Sequence, residues 1–198
     1  GLVQKLGLMH FKRLQRRYCF WFMNDFSQLL TDRSPAIVAQ WVEAVAQSRQ
    51  ISSADGLSLS AIRDHIDLVL SALASVLSQD QESNLAQIAV ASICHGKLRA
   101  NQGFDPAEIA KEYHLLRLTI RNALHSDLLA GSAVAAVRAI TMIDEVVDAA
   151  VASCFESYMV ERTEEMVKIQ QQLNLTVKEL TRLVKVSQDN LSMLAHEL

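Results

Sequence analysis

The chain has 198 residues, 50% hydrophobic and 21% charged, with only 6 Gly, 2 Pro and 3 Cys. That balance supports one packed domain plus an appendage and excludes collagen, disordered tails and disulfide scaffolds. Net charge is −3, but the first 24 residues hold Lys5, Lys12, Arg13, Arg16 and Arg17 and no acid, leaving 14 basic against 22 acidic residues over 25–198. A mildly acidic body argues against nucleic acid as a partner, since binding to phosphates needs a clustered basic face. The apolar run Tyr18 to Met23 is six residues long, far short of the roughly 18–20 that span a bilayer, so no integral membrane segment is expected. Cys19, Cys94 and Cys154 lack any Cys-x-x-Cys pairing; they read as buried thiols of a cytoplasmic protein, with no metal site.

In residues 1–24, Leu2, Leu8, Phe11 and Leu14 do not share one face of a helical wheel. This basic and apolar stretch reads as upstream sequence or an unpacked arm, with Met23 the natural start, the alternative being a membrane-surface helix or a targeting sequence. Ser34-Pro35 then sets a side-chain acceptor before a proline, predicting a helix over about 35–48 that buries Ile37, Val38, Trp41, Val42 and Val45. A second helix opens at Ser58 or Ser60 and carries Ile62, Ile66, Val69, Leu70, Leu73, Val76 and Leu77 to about 78. A third covers about 82–101 with Leu85, Ile88, Ala89, Ser92, Ile93 and Leu98 inward.

Gly103 ends that unit, and Asp105-Pro106-Ala107-Glu108 has the spacing of a capping box. The fourth helix, about 106–126, buries Ile109, Tyr113, Leu116, Ile120 and Leu124. After Gly131 no strong breaker remains, so residues 132–198 can form one helix. Its Ala- and Val-rich part, 132–160, fits a core, whereas the sequence beyond Glu161 is polar with a sparse apolar seam. Nothing alternates with period two over strand length, so the fold class is all-α. The domains are read as the arm, a helical domain at 25–160, a coiled-coil helix at 161–190 and a terminal box at 191–198.

With Val177 at heptad position a, Val184, Leu191 and Leu198 follow at a, while Leu173, Leu180 and Leu194 occupy d. Such a stripe is too narrow for a globular core and suits a parallel two-stranded coiled coil, so a homodimer is expected. The rival is a long helix folded back on its own domain. Gln170 at a and Ser187 at d moderate the coil. His196 falls at f, facing away from the partner helix, where Glu197 is placed to act as base or to orient the ring.

Two resemblances follow from these residues. Leu191-Ser192-Met193-Leu194-Ala195-His196-Glu197-Leu198 resembles the start of the phosphoacceptor box of sensor histidine kinases, which continues Arg-Thr-Pro-Leu where this chain stops. The resemblance implies that His196 takes phosphate from ATP and passes it to an aspartate on a response regulator receiver domain. Upstream, His95-Gly96-Lys97-Leu98-Arg99-Ala100-Asn101-Gln102-Gly103-Phe104 and Glu112-Tyr113-His114-Leu115-Leu116-Arg117 are similar to the His-Gly-x-x-Arg-x-x-Gln-Gly-Phe and Glu-Tyr-x-x-Leu-Arg pattern of RsbR-type stressosome sensor domains. Arg63-Asp64-His65-Ile66 and Trp41 match their early helices, so this likeness spans about 25–160. It implies a dimeric, globin-like helical bundle without haem.

These motif residues also have a structural account. Gly103 lets the chain turn, Phe104 packs across the corner, Gln102 bonds carbonyls at the helix end, and Arg99 and Arg117 pair with Glu112. His65, His95 and His114 are the candidate haem ligands, but no second haem marker accompanies them, so neither haem nor bilin is expected; a fatty acid in a helical crevice stays open. Residues 25–160 carry no phosphate loop and no nucleophile elbow. The chain is therefore read as the sensor and dimerisation portion of a cytoplasmic histidine kinase, an enzyme only in full length. It holds no cofactor of its own, ATP and Mg belonging to an ATP-binding domain outside it. The alternatives are a non-enzymatic stressosome-like scaffold and a ligand- or haem-binding globin-like sensor of another output.

Overall fold

A computed structural model describes residues 26–63, 66–78 and 85–196. The elements, in order, are α1 (26–46), a 3-10 turn (Ser52–Ala54), α2 (Leu59–Arg63), α3 (Ile66–Ser78), α4 (Leu85–Asn101), α5 (Pro106–Ala130) and α6 (Ala133–His196). No strand occurs among the described residues, so the fold is an all-α bundle with a long C-terminal helix. The basic arm and Cys19 lie outside the description.

The apolar stripes read from the sequence form the core. Ile37, Trp41 and Val45 of α1 meet Leu70, Leu73 and Leu77 of α3 and Ile109, Leu116, Ile120 and Leu124 of α5 in one buried cluster. The α5 start is as expected: Asp105 accepts from the Glu108 N–H at 2.8 Å, Glu108 reaches back to the Asp105 N–H at 3.0 Å, and Pro106 fills the first turn. Gly131 closes α5 by donating to the Asp127 carbonyl at 3.0 Å. Ser132 then accepts from the Ala135 N–H at 3.2 Å, starting α6.

Three expectations are corrected. First, α1 does not begin at Ser34-Pro35 but runs through it. An interior proline costs about 3 kcal/mol, which is offset here because the turns before it bury Phe26 and Leu30, donate Ser27 Oγ to the Ala74 carbonyl at 2.7 Å and hold Arg33 against Asp127 at 2.6 Å. Second, the inward face of α4 is only partly the expected one: Ser92 is buried as expected, but Ile93 is exposed, Ala89 and Leu98 are half-buried, and His95, Gly96 and Arg99 are buried in their stead, while the side chains of Leu85 and Ile88 lie outside the described residues. His95 and Arg99, both paired with Glu112, take the inward positions that periodicity gives to Ile93. Third, Cys94 is exposed on that outer face, whereas Cys154 is buried.

The chain divides into two compact units between Tyr158 and Met159. In the first, α6 buries Ala139, Ile143, Val146, Val147, Ala150, Cys154 and Tyr158. In the second, every residue from Arg162 to Met193 is exposed.

Candidate functional site

The first unit encloses a charged cluster. Arg99, on the last turn of α4, has no exposed surface, and Glu112 on α5 is 1% exposed. The guanidinium forks onto the carboxylate, with Nε 3.1 and 3.0 Å from the two oxygens and Nη2 at 2.8 Å. Its remaining N–H groups donate to the Ala61 carbonyl at 3.2 Å, the Ile62 carbonyl at 2.9 Å and Gln102 Oε1 at 2.6 Å. Taking both charges out of water costs several kcal/mol per ion, so the pair persists only because nearly every donor and acceptor is satisfied. One side chain thereby ties α2, α4 and α5 together.

Around it, the Phe104 ring lies under the guanidinium, 4.7 Å from Cζ to centroid. Gly103 adopts φ +82°, the left-handed turn glycine permits, and so brings Phe104 back beneath Arg99. His95 Nε2 lies 3.2 Å from Glu112 Oε2, and its ring meets Tyr113 edge-on at 5.7 Å. Trp41 Nε1 donates to the Glu112 carbonyl at 2.9 Å. The buried Tyr113 hydroxyl faces Ser92 and Cys154 without closing a hydrogen bond of standard geometry to either.

Burial pushes the Tyr113 hydroxyl well above its ordinary range, with the neighbouring Cys154 and the Glu112 carboxylate adding to that. Burial likewise pushes the Cys154 thiol up to about 12, reinforced by Glu112 and opposed by Tyr113 and Arg99. Cys154 is thus a protonated, unreactive thiol, unsuited to nucleophilic work. A second carboxylate, Glu108, extends beyond its cap role. Burial raises it, but donation from the Ser53 side chain at 2.7 Å and N–H at 2.9 Å, from the Asp105 N–H and from Ser52 holds it below the usual carboxylate range.

The structure brings His95, Arg99, Gln102, Gly103, Phe104, Glu112 and Tyr113 to one place. Two roles read from the sequence change. Gln102 accepts from Arg99 and does not bond helix-end carbonyls. Arg117 does not reach Glu112; five residues on, it points about 140° around the helix and pairs with Asp144 at 3.4 Å and with Asp148 on α6. Of the histidines, His95 is engaged with Glu112, His114 is exposed and His65 lies outside the described residues. No group of three His, Cys, Asp or Glu positioned to hold a metal occurs among the described residues. A groove of about 310 Å³ between α1 and α3, lined by hydroxyls and small side chains such as Ser27, Thr31, Ser71 and Ala74, contains no titratable group.

Gly96 was visible only as a member of the family-like pattern, and Ser157 and Tyr158 carried no readable signal. Gly96 sits where a Cβ would collide with the Cys154 carbonyl, so α4 and α6 approach backbone to backbone. Ser157 donates to the Ile93 carbonyl at 2.7 Å and Tyr158 to the Phe104 carbonyl at 2.8 Å. Their partners are 64 and 54 residues away, beyond the reach of spacing arguments.

In the second unit, Leu173, Val177, Leu180, Val184 and Leu191 are each more than half exposed in the single chain. The backbone is helical through His196, whereas the side chains of Leu194 and His196, and Glu197 and Leu198 altogether, lie outside the described residues. No helix among the described residues is long and apolar enough to cross a membrane.

Comparisons with curated proteins and with solved structures give no match. A family model described as the RsbT co-antagonist protein rsbRD N-terminal domain matches residues 35–173, which cover the ion cluster and the beginning of the exposed stretch of α6, and the chain belongs to that family.

Proposed function

We propose that the chain is the sensing and self-associating portion of a stressosome-type signalling protein, a non-enzymatic module that takes up a signal or partner in its bundle and transmits it through α6. The observation that carries this reading is the split character of one helix. Its first half is core, and its second half presents Leu173, Val177, Leu180, Val184 and Leu191 at heptad spacing with nothing over them. Apolar side chains on that scale are covered in solution, and a second copy in parallel supplies the matching seam. Family membership supports the sensing role. Sedimentation equilibrium on the full chain is expected to give a dimer that Leu180→Lys converts to monomer. A wild-type monomer at tens of micromolar refutes self-association.

A second reading is favoured by one feature, the run Leu191-Ser192-Met193-Leu194-Ala195-His196-Glu197-Leu198 in phase with the seam. Under it, this is the sensor and dimerisation portion of a histidine kinase. A ring nitrogen of His196 attacks the γ-phosphorus of Mg-ATP held by a separate kinase domain, and the bond to the bridging oxygen breaks, releasing ADP. Glu197 takes or orients the imidazole proton, and a response regulator aspartate receives the phosphoryl group. Supplying a kinase ATP-binding module in trans is expected to yield acid-labile phosphate on the wild-type chain and none on His196→Gln. Label that persists in the variant refutes the assignment.

A further inference from the structure

The motif cluster and the exit of α6 meet at one turn. Phe104 offers its ring to Arg99 and its carbonyl to Tyr158, at 4.7 and 2.8 Å respectively, while its N–H donates to the Arg99 carbonyl at 3.0 Å. Tyr158 is 7% exposed and is the last residue of the first unit. Cys154, Ser157 and Tyr158 follow the spacing that places side chains on one helix face. All three touch α4 or the turn after it: Cys154 through its carbonyl at Gly96, Ser157 at Ile93 and Tyr158 at Phe104.

A helix held by a backbone-close crossing and two hydroxyl bonds has a fixed rotational phase. A helix that loses one of those bonds can turn about the remaining contact. We propose that the Tyr158 hydroxyl bonded to the Phe104 carbonyl is the coupling between the Arg99–Glu112 cluster and α6, making Tyr158 a positioning residue of the signal path. Any event that draws Arg99 away from Phe104 shifts the turn and releases Tyr158, and the helix beyond it changes phase or frays. This deepens the sensing role above and rests on α6 carrying the output.

Hydrogen exchange on the full chain tests it, because exchange reads local opening helix by helix. Tyr158→Phe is expected to speed exchange roughly fivefold in amides 158–166 and in the 103–104 turn, the loss of about one hydrogen bond, and to leave α1 amides unchanged. Gln102→Ala, which loosens the Arg99 fork without emptying the core, is expected to speed the same α6 amides, and to add nothing further in the Tyr158→Phe background. Arg99→Lys serves as a stronger version of the same step. Unchanged α6 exchange in Tyr158→Phe, a uniform rise over every helix, or additive effects in the double variant each overturn the coupling. The readout requires neither a dimer nor a phosphohistidine, so failure of those readings is separately visible.

Discussion

The two halves of α6 carry similar apolar spacing and meet opposite surroundings. Ile143, Val147, Ala150 and Cys154 are sealed in the bundle, while Val177, Leu180, Val184 and Leu191 lie open. The first half packs against both α4 and α5, so its apolar face is wide, with adjacent Val146 and Val147 both buried. The second half has an a/d stripe with Lys178, Glu179, Arg182 and Lys185 at the outer b, c and f positions, which is the width one partner helix covers. Breadth of the stripe, more than its presence, separates a core helix from a coil helix.

The sharpest way to break this contrast is at the charged cluster. Glu112→Ala strands a fully buried guanidinium and is expected to cost about 3–5 kcal/mol in urea denaturation, enough to unfold the first unit while leaving any association through the second to be tested by sedimentation. Gly96→Ala is expected to cost about 1–3 kcal/mol, since the new methyl meets the Cys154 carbonyl and the Ser157 hydroxyl; a neutral outcome means that α4 and α6 do not cross so closely. Leu180→Lys is expected to leave the denaturation midpoint of the first unit within about 0.5 kcal/mol while abolishing dimerisation, because Leu180 touches no core. A large loss of bundle stability there instead indicates a helix folded back on its own domain.

The smallest effect concerns pH. Because hydrogen bonds hold folded Glu108 below its unfolded value, its contribution is complete above the unfolded carboxylate pKa and is lost as pH falls through the lowered folded one. Glu108→Gln is expected to flatten the acid limb of the stability curve without changing its slope above neutrality. Equal acid limbs in variant and wild type count against a buried, multiply bonded Glu108.

Much of the frame was legible in order along the chain. The capping box at Asp105, the glycine turn at 103 and the stripes of α1, α3 and α5 follow from local geometry, which a single sequence encodes residue by residue. The inward face of α4 was only partly legible. Periodicity placed Ser92 inside correctly but counted Ile93 as core, and it cannot know that Glu112, thirteen residues after Arg99, makes burial of Arg99 possible. The same limit hid the start of α1, where tertiary burial of Phe26 and Leu30 carries the helix back beyond the start signal of Ser34-Pro35.

By itself the sequence determined that the protein is helical, where its turns fall, that a heptad seam runs along its last helix and which motif residues belong together. Only the tertiary structure decided which face of α4 is inside, that Arg117 serves α6 and not Glu112, and that Tyr158 closes onto the Phe104 turn. Local signals act over a few residues of chain, whereas those three outcomes depend on which groups from distant segments satisfy one another once water has been excluded.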